Sequence, residues 1–590
     1  MCGIVGYLGY REAYPVIISA LKRLEYRGYD SWGVAISDEK ELQIQKKVGT
    51  IGDIKFEEFS KSTIGIGHTR WATHGKPSEI NAHPHIDCNG DIAVVHNGII
   101  ENYLHLKNEL TKRGHKFVSE TDTEIIAHLI ESKNGNLEDA VLESLSKLKG
   151  SYAIAVISSK ERKIVAARYK SPLILGVGDE EYFLASDSPA ILEYTNRVVY
   201  LEDGDMVVIT DDGFEIRNNG VKVERPTEVI PWSLADAEKG GYEHFMLKEI
   251  HETPRVIEET IAGHISETIE LDVSFAAGVS EMIFVACGTS FHAALLGKYI
   301  VEEMAGIPVR VEYASEFNYH PVPLSRSLVI GITQSGETAD TLEALRKAKS
   351  LGARILAITN VLGSSVTRIA DYVIYTRAGP EIGVAATKTF IAQLVAIYLI
   401  AAKLSMLPRK ELENFIFGMR MMPEKIRSIL DSKEKIMEIS ETIADRDNMM
   451  YVGRCLGFPV ALEGALKMKE ISYIHAEGYP AGELKHGPFA LLGEKTPVVA
   501  CVIRDETYDI TLSNIKEIKA RESPVIAIAE EGDEEIEKYV DYVIKAPKVD
   551  RIFIPVTYSV ILQLLAYYTA RKRGCEIDKP RHLAKSVTVE

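Results

Sequence analysis

The sequence predicts a multidomain protein of the α/β and α+β classes, with an N-terminal αββα sandwich followed by two doubly wound parallel-sheet domains. Three observations support this fold class. The 590 residues are too many for one hydrophobic core, so we expect roughly two to four domains. The chain up to residue 225 alternates short β-type runs with a few helical patterns. The later part of the chain repeats a strand–loop–helix unit.

Composition and charge restrict the class of protein. The 85 acidic and 68 basic residues give a net charge of −17, which argues against nucleic acid or an anionic membrane as a partner. The six cysteines are scattered without a CxxC pair, as in proteins of a reducing cytoplasm. No basic segment precedes an apolar core at the N-terminus, so we expect no signal peptide. The longest apolar run, 390–402, is too short to span a bilayer and predicts a buried helix.

The first six residues, Met1-Cys2-Gly3-Ile4-Val5-Gly6, predict an N-terminal nucleophile. Removal of Met1 would leave Cys2 with a thiol and an α-amino group on one carbon. The thiolate is the reactive form, and an α-amino group titrates at about 7.7–8.0, so it can serve as the base for its own side chain. Ile4 and Val5 fit a strand that anchors the terminus. The alternative is an inert cysteine buried at the start of a strand.

The first block, residues 2–225, predicts two stacked sheets between helices. Strands are expected at 4–8, 33–37, 63–68, 92–96, 151–158, 164–168, 173–177, 182–186 and 206–210. Helices are expected at 11–24, 99–113, 124–132 and 137–148. We place a linker at 226–250, because the segments 224–227, 231–232 and 235–241 shift to a charged and glycine-containing composition and show no apolar period. A helical region is expected to begin at 242–252.

Polar side chains of the first block cluster in loops, where functional residues are often carried. We expect His96-Asn97-Gly98 to end the strand at 92–96. Asn-Gly is also an ordinary turn signal, and a Ser/Thr/Asp cluster is also an ordinary helix cap. The polar loops are Arg27–Ser31, Gly67–Gly75, Asn81–His85, His96–Gly98 and Ser119–Glu124.

The second half of the chain is an internal duplication. Cys287 and Arg454 follow equivalent predicted strands and lie 167 positions apart, and Gln334 and Arg504 lie 170 positions apart. We place the two parallel-sheet domains at 272–411 and 440–579, followed by a polar tail at 580–590. The hydroxyl-bearing loop at Gln334 is replaced by Arg504-Asp505-Glu506 in the second repeat, which we therefore expect to be the scaffold.

Two loops of the first repeat predict an anion site. Cys287-Gly288-Thr289-Ser290 and Thr333-Gln334-Ser335-Gly336-Glu337-Thr338 each lie between a buried strand and a helix. Backbone N–H groups at a helix N-terminus, together with hydroxyl donors, can bind a phosphate without Lys or Arg. Simple N-capping accounts for one or two of these hydroxyls but not for all of them. Neither a Walker A nor a G-x-G-x-x-G motif is present, which argues against a nucleotide.

Four motifs of the first block resemble the class II glutamine amidotransferase family: Cys2–Gly6, His68–Gly75, His96–Gly98 and Glu120–Thr123. The resemblance implies that Cys2 attacks the side-chain amide of glutamine and that its α-amino group relays the proton. It implies oxyanion donors at Asn97 and Gly98. It also implies that Arg70 binds the α-carboxylate of glutamine and Asp122 its α-ammonium. The implied glutamine pocket is also lined by Trp71, Thr73, His74 and His83.

The duplicated units resemble SIS (sugar isomerase) domains, and the whole chain resembles the glutamine–fructose-6-phosphate aminotransferase (isomerising) family. Further matching stretches are 381–385, 463–467, 469–477, 482–488 and 580–590. The resemblance implies a Schiff base from Lys585 to the sugar, ring opening by His486 and proton transfer by Glu470. Lys467 shares a helix face with Glu463 and Glu470, which an ordinary helix salt bridge also explains. The implied sugar-phosphate contacts are Cys287, Gly288, Thr289, Ser290, Thr333, Gln334, Ser335, Thr338, Val384 and Ala584.

The family resemblance also implies an activity and partners. The expected reaction converts fructose 6-phosphate and L-glutamine to glucosamine 6-phosphate and L-glutamate, with ammonia channelled from one site to the other. A homodimer with shared isomerase sites, in the cytoplasm and without a cofactor or metal, is implied as well. A phosphoribosyl pyrophosphate amidotransferase would need a loop with paired acidic residues after a strand, and none is found. A non-catalytic sugar-phosphate sensor would need none of Cys2, Asn97, Asp122, Glu470, His486 and Lys585.

Overall fold

The computed structural model describes residues 2–38, 40–52, 61–72, 74–230, 236, 238–319, 324 and 326–588. Contacts within the chain divide it into two compact units. The first unit comprises Met1–Ala237, Gly363–Ser365 and Ala584–Glu590. The second unit comprises Glu238–Leu362 and Val366–Leu583.

Antiparallel strands form two sheets in the described part of the first unit. One sheet has the order β15-β11-β9-β10-β1-β4-β2-β3 and the other the order β14-β13-β12-β8-β7-β6-β5. The strands are β1 Gly3–Leu8, β2 Ser31–Ser37, β3 Leu42–Val48, β4 Ile64–Arg70, β5 His85–Ile86, β6 Ile92–Ile100, β7 Gly150–Ser158, β8 Ile164–Tyr169, β9 Ile174–Val177, β10 Tyr182–Ala185, β11 Arg197–Tyr200, β12 Asp205–Thr210, β13 Gly213–Asn218, β14 Val221–Val223 and β15 Thr227–Val229.

The alternation of side chains along these strands explains the layers. In β6, Ala93 and Val95 face the core between the two sheets, to which β1 of the other sheet contributes Ile4. Val94, which lies between them in the sequence, points to the opposite face of the sheet and packs in a separate apolar cluster with the helices. The helices of this unit are α1 Ala13–Leu24, α2 Tyr103–Lys112, α3 Glu124–Glu131 and α4 Leu137–Leu145. Because α1 packs on β1 and β4 and the other helices pack on the second sheet, the predicted αββα sandwich is confirmed.

The second unit contains two parallel sheets. Their orders, β17-β16-β18-β19-β20 and β22-β21-β23-β24-β25, are the same order repeated, so the sequence duplication is also a structural one. The strands are β16 Glu281–Ala286, β17 Val309–Tyr313, β18 Ser327–Thr333, β19 Arg354–Thr359, β20 Tyr372–Tyr375, β21 Asn448–Gly453, β22 His475–Pro480, β23 Val498–Cys501, β24 Val525–Glu530 and β25 Tyr542–Ala546. This confirms the predicted doubly wound sheets.

The remaining helices cover the faces of these sheets and pack between them. They are α5 Phe245–Ile261, α6 Gly288–Ala305, α7 Ala314–Phe317, α8 Ala339–Ser350, α9 Ser365–Ile369, α10 Lys388–Leu404, α11 Arg409–Asp431, α12 Glu434–Ile443, α13 Gly457–Ser472, α14 Tyr508–Lys519 and α15 Ile554–Lys572. The apolar run at 390–402 lies in α10 and is buried, as predicted.

One stretch of the described residues, Arg551–Lys572, is long and apolar enough to cross a membrane by length and composition alone. Its most apolar window has a mean hydropathy of 1.5 and is entirely buried inside the protein. Core helices pass the same test, so this stretch is weak evidence for a membrane span.

Three sequence expectations were wrong in detail. His96-Asn97-Gly98 lies inside β6 and does not end a strand, because the pairing with β7 continues to Ile100. The helix expected from residue 99 therefore begins only at Tyr103. Several strands with mixed or exposed polarity were not predicted: β3, β5, β11, β13, β14 and β15. Of these, β15 lies in the expected linker, where it pairs with β11.

Candidate active sites

Three strands of the first unit bring the predicted glutamine-site residues together. Cys2 directly precedes β1, Trp71 directly follows β4, and Asn97 lies in β6. Because β1 and β4 pair antiparallel with Gly3 opposite Thr69, the start of β1 lies beside the end of β4. The backbone N–H of Trp71 donates to the Cys2 thiol sulfur at 3.2 Å, and Asn97 Nδ2 donates to the Cys2 carbonyl at 3.0 Å.

The Cys2 thiol lies in a half-buried, positively charged environment. Burial raises the pKa of the Cys2 thiol, while the N–H of Trp71 and the cations Arg70 and Arg27 lower it in part. Arg27 Nε also donates to the Cys2 carbonyl at 3.3 Å, and Arg27 is itself paired with Asp187 at 2.9 Å. These groups offset only part of the cost of burying the thiolate, so the pKa of the Cys2 thiol stays above its usual value.

The orientation of Asn97 is fixed by His68, a residue to which the sequence analysis assigned no role. His68 Nε2 donates to Asn97 Oδ1 and to the carbonyl of His96, both at 3.0 Å. Since Oδ1 is occupied, the Nδ2 group must point toward Cys2. Burial lowers the pKa of His68 to about 3, so this imidazole is neutral and remains a donor at neutral pH. The sequence signal that could have identified this role is a histidine directly after the apolar start of β4, Ile64–Gly67.

Gly98 is required by the backbone. Its φ is +128°, which L side chains rarely adopt, and a Cβ there would lie 2.1 Å from the Ser151 carbonyl oxygen on the paired strand. Gly98 directly follows Asn97 in β6, so its backbone N–H belongs to the residue next to the one that carries Nδ2. The paired strand leaves no room for a side chain at this position.

Arg70 and Asp122 are buried polar groups on separate segments. Arg70 Nη2 donates to the carbonyls of His74 and Gly75, the latter at 3.0 Å. Arg70 Nη1 is buried and has no hydrogen-bond partner among the described residues. Asp122 Oδ2 accepts from the backbone N–H of Ile100 at 2.8 Å. A buried guanidinium with an unused donor suits a carboxylate ligand.

The other predicted pocket residues differ in their surroundings. His83 stacks on His68 with 3.9 Å between ring centroids, and its Nδ1 accepts from the His96 N–H at 3.2 Å, so it packs behind the Asn97 support. His74 meets Tyr103 edge to face at 5.5 Å. Trp71 meets Tyr29 edge to face at 5.8 Å. Thr73 lies outside the described residues.

The two hydroxyl-rich loops of the second unit lie at the carboxyl ends of adjacent central strands. Cys287 follows β16 and begins α6, and the loop from Gln334 to Thr338 joins β18 to α8. The order of the sheet reverses between β16 and β18, and such a switch point is where open α/β sheets bind ligands. Neither α6 nor α8 has a side-chain hydrogen bond at its N-cap, so simple N-capping does not account for these hydroxyls. A Cβ added at Gly288 would meet no atom within 4 Å, so the backbone there is open to approach.

Most predicted phosphate contacts lie on these two loops. Ser290 Oγ accepts from Gln393 Nε2 at 3.0 Å. Thr333 and Thr338 share a hydroxyl contact of 3.2 Å, and Ser335 Oγ accepts from the Glu337 N–H at 3.2 Å. The thiol of Cys287 instead faces the Thr341 hydroxyl at 3.8 Å. The hydroxyl groups of the two loops therefore lie at the carboxyl ends of β16 and β18.

A charged cluster on α13, formed by Glu463, Lys467 and Glu470, adjoins the first loop. Lys467 Nζ lies 2.6 Å from Glu470 and 3.4 Å from Glu463, and it donates to the Thr289 hydroxyl at 3.0 Å. Glu463 also lies 2.7 Å from His292 Nδ1 on α6. Burial alone would lower the pKa of Lys467, but Glu463 and Glu470 outweigh it and raise that pKa. The predicted helix salt bridge is thus present, but it is buried and joins the two repeats.

The remaining predicted residues lie near chain turns. His486 ends a short 3₁₀ helix, Ala481–His486, and is exposed. The N–H of Val384 donates to the Asp578 carbonyl at 3.0 Å. Arg581, just before the last segment, donates its N–H to the Tyr473 hydroxyl at 2.9 Å. Ala584 and Lys585 are half-buried and belong to the first unit by their contacts.

Comparison with known proteins shows which family this chain matches. A glutamine amidotransferase domain model matches residues 68–193, and a SIS domain model matches residues 277–403 and 442–572. The glutamine–fructose-6-phosphate aminotransferase (isomerizing) of Aquifex aeolicus is 49% identical over 598 residues, covering 100% of both chains. This chain belongs to the glutamine–fructose-6-phosphate aminotransferase (isomerizing) family. The enzyme of that name from Methanosarcina mazei is 51% identical, again over 100% of both chains.

A solved structure of the family resembles the second unit. The C-terminal domain of glucosamine-fructose-6-phosphate aminotransferase from Francisella tularensis covers 58% of this chain and 99% of its own, with a TM-score of 0.56 and 38% identity. The family assignment, the sandwich with Cys2 and the duplicated sheets are therefore consistent with one another.

Proposed function

We propose that this chain converts D-fructose 6-phosphate and L-glutamine to D-glucosamine 6-phosphate and L-glutamate, which is the first step of hexosamine synthesis. The observation that carries the proposal is the presence of two kinds of site in one chain. Cys2 lies beside Asn97, which donates to its carbonyl, and beside an unused Arg70 donor. The second unit has a hydroxyl-lined switch point next to the charged cluster on α13. The family relatives that span the whole chain support the same reaction.

In the first unit, Cys2 attacks the side-chain amide of glutamine, and the free α-amino group of Cys2 relays the proton to the leaving ammonia. This step requires removal of Met1. Asn97 Nδ2 and the N–H of Gly98 stabilise the oxyanion. Arg70 binds the α-carboxylate through its unused Nη1, and Asp122 binds the α-ammonium. Trp71, Thr73, His74 and His83 complete the pocket and its support.

In the second reaction, the loop hydroxyls and helix N–H groups hold the sugar phosphate, with further backbone contacts from Val384 and Ala584. Lys585 forms a Schiff base with C2 of the open-chain ketose after His486 assists ring opening. Ammonia then replaces the lysine at C2, and Glu470 moves a proton from C1 to C2 to give the amino aldose. Neutral donors around the phosphate suit a protein of net charge −17, because they need no surrounding cations.

Ammonia passes from the first reaction to the second without release to the solvent. Free ammonia in neutral water is mostly ammonium, which has no lone pair for attack on a carbonyl carbon. The test is synthesis from glutamine labelled with ¹⁵N in the side-chain amide, in the presence of excess unlabelled ammonium. Product that carries mostly ¹⁵N supports channelling, and product that follows the bulk isotope ratio contradicts it.

The active chain is a cytoplasmic homodimer whose isomerase sites are shared, with His486 acting in the site of the partner chain. The exposure of His486 supports this arrangement. Co-expression of His486→Ala with Lys585→Ala chains tests it, because a mixed dimer would hold one site with both residues intact. Recovery of activity supports sharing, whereas two inactive parents that give an inactive mixture contradict it.

The activity itself is tested by product formation from fructose 6-phosphate and L-glutamine. We expect the wild type to release glucosamine 6-phosphate and glutamate, and Cys2→Ala to retain synthesis only from ammonium. Lys585→Ala should lose synthesis from either nitrogen source. Glutamine hydrolysis without any amino sugar would show that the acceptor has been misassigned, and other ketose and aldose phosphates would then be compared.

A further inference from the structure

Four side chains on the helical face of the first unit form a cluster that the glutamine reaction does not use. They are Cys88, His115, His128 and Glu131, and their ligand atoms all lie within 4.8 Å of one another. We propose that this cluster is a structural site for a divalent transition metal, with Zn²⁺ as the preferred ion. The thiolate, the two imidazoles and the carboxylate are the donor types that zinc takes in four-coordinate protein sites.

The distances inside the cluster fit a four-coordinate ion. Glu131 Oε2 lies 2.9 Å from His115 Nδ1 and 3.1 Å from His128 Nδ1. The Cys88 sulfur lies 3.8 Å and 3.6 Å from the same two nitrogens. With zinc bonds of about 2.0–2.3 Å, neighbouring ligand atoms of a tetrahedron are about 3.3–3.7 Å apart. The two contacts of Glu131, at 2.9 and 3.1 Å, therefore need to widen by only a few tenths of an ångström, and the two contacts of the sulfur are already close to the range of a zinc site.

The surroundings of His128 supply a second observation. His128 is buried, and its other ring nitrogen, Nε2, has no hydrogen-bond partner within normal distance among the described residues. That nitrogen faces Glu124 Oε1 at 3.6 Å. Glu124 is itself held by the backbone N–H groups of Val118 and Ser119, at 2.8 and 2.7 Å. A carboxylate behind the second nitrogen of a histidine is the usual support of a zinc ligand, because it fixes the tautomer and the ring orientation.

A cluster of ordinary ion pairs is the alternative. Two imidazoles that share one glutamate oxygen need no metal, and Cys88 would then merely lie beside them. What the ion pairs leave unexplained is the position of the sulfur, which faces both Nδ1 atoms. Cys88 is exposed, whereas the other three side chains are partly or fully buried, so an ion has a path of entry on one side.

The ligands come from three segments that meet around α3. Cys88 follows β5, His115 follows α2, and His128 and Glu131 lie on α3 itself. The start of α3 carries Thr123, whose hydroxyl contacts His96 Nδ1 at 2.9 Å on the strand that holds Asn97. A metal bound here would displace the thiol proton and tie these segments together. With four protein ligands and no open position, its role is structural and not catalytic.

The family resemblance implied no metal, and the spacing of these four residues in the sequence gives no signal for one. Cys88 and His115 lie 27 positions apart, which is outside the ligand spacings that identify zinc sites from sequence. Only the His128–Glu131 pair is close in sequence, and an i,i+3 pair on a helix is common without a metal.

The experiment uses the full-length chain in a Cys2→Ala background, freed of metal by dialysis against a chelator, with Co²⁺ and then Zn²⁺ as probes. Co²⁺ bound to a thiolate absorbs in the near ultraviolet and, when four-coordinate, strongly in the visible. We expect one Co²⁺ per chain with both signatures, displacement by one Zn²⁺, and a higher melting temperature with Zn²⁺.

Two ligand variants and two matched controls decide the assignment. Cys88→Ser should lose the thiolate band and weaken Zn²⁺ binding at least 100-fold, and His115→Gln should weaken it by at least 10-fold. Cys575→Ser and His105→Gln, which remove a thiol and an imidazole outside the cluster, should bind as the parent does. Absence of the thiolate band in the parent, or a band of unchanged affinity in both ligand variants, would overturn the proposal. Because Cys88 is exposed, its serine variant is expected to fold, and its melting temperature without metal checks this.

Discussion

The unused guanidinium nitrogen of Arg70 gives a prediction that can be tested with two substrates. In Arg70→Met, the donor proposed for the α-carboxylate of glutamine is lost. A hydrogen bond to a charged group contributes about 1.5–3 kcal/mol, and about 1.4 kcal/mol corresponds to a tenfold change. Since one free nitrogen, Nη1, is available for the ligand, we expect kcat/KM for glutamine to fall by roughly 10- to 100-fold.

This loss alone would be ambiguous, because Arg70 also holds the His74 and Gly75 carbonyls. The α-amide of glutamine, whose carboxylate is replaced by a neutral group, separates the two effects. The wild type should prefer glutamine over this amide by about the same factor, and Arg70→Met should show almost no preference. Ammonia release is measured for both substrates at saturating fructose 6-phosphate.

Arg27→Met is the matched control, since Arg27 is also a buried arginine near Cys2 but contacts its carbonyl and Asp187. Its activity can fall, but its preference for glutamine over the amide should stay as in the wild type. If Arg70→Met lost activity on both substrates equally, the role of Arg70 would be structural and the assignment of Nη1 to the ligand would be refuted.

Three further predictions follow from the same geometry. Gly98→Ala should abolish glutamine-dependent synthesis but spare synthesis from ammonium, because its Cβ would lie 2.1 Å from the Ser151 carbonyl oxygen. Equal loss of both activities would contradict this prediction. Gly90→Ala is the control, since a Cβ at Gly90 would meet no atom within 4 Å. Lys467→Met should destabilise the second unit by about 3–5 kcal/mol in calorimetry, because it removes the buried cation that neutralises Glu463 and Glu470. Adding Glu463→Gln should restore part of the loss. A loss below about 1 kcal/mol is what an exposed ion pair would give and would contradict this prediction. Burial holds the pKa of His68 at about 3 in the folded chain, against 6.5 for an ordinary histidine. Between these two pH values the unfolded chain binds more protons than the folded chain, so the free energy of unfolding falls as the pH drops from 6.5 towards 3. His68→Gln should therefore show a shallower fall in urea unfolding between pH 6.5 and 4, and an unchanged slope would contradict the assignment.

The fold was predictable where one periodicity dominates. The buried strands β1 and β16 and the apolar helix α10 follow from local residue patterns, and the duplication follows from the repeat spacing. The exposed strands were missed because their pattern resembles that of a polar loop. In β3, Lys46 takes a position where the alternation would place an apolar residue, and the strand is only partly buried. The order of the strands within the sheets depends on long-range pairing, which no local pattern contains.

The candidate sites were predictable as motifs but not as contacts. Cys2, Arg70 and Asn97 were found from residue patterns and family resemblance, whereas the support of Asn97 by His68 depends on the pairing of β2 and β4 and the packing of β4 against β6. The metal cluster was missed for the same reason, because its ligands come together only when α2, α3 and the segment after β5 have packed. The proposed roles of the site residues remain predictions for the experiments above.

The hydrogen bonds that the loop hydroxyls already make determine which of them can donate to the proposed sugar phosphate. Thr289 Oγ1 accepts a hydrogen bond from Lys467 Nζ and donates its own proton to Glu463 Oε1 at 3.2 Å. Its hydroxyl proton is therefore already used, and its backbone N–H is left for a ligand. Ser290 Oγ accepts from Gln393, and Ser335 Oγ accepts from the Glu337 N–H, so both keep their protons for donation. In the proposed site, the two loops of the first repeat therefore differ in role: Ser290 and Ser335 can donate to the anion, whereas the Thr289 hydroxyl is bound to the cluster on α13.

This division changes the role expected of the second repeat. It lacks the hydroxyl loop, and from sequence it was expected to be a scaffold, yet α13 brings Glu463 and Lys467 into direct contact with Thr289 of the first repeat. In the proposed site, the first copy of the sheet would supply neutral donors for the phosphate, and the second copy would supply the buried charges next to them. Because the charged groups are buried and paired with one another, they can remain ionised close to an anion without being the groups that bind it.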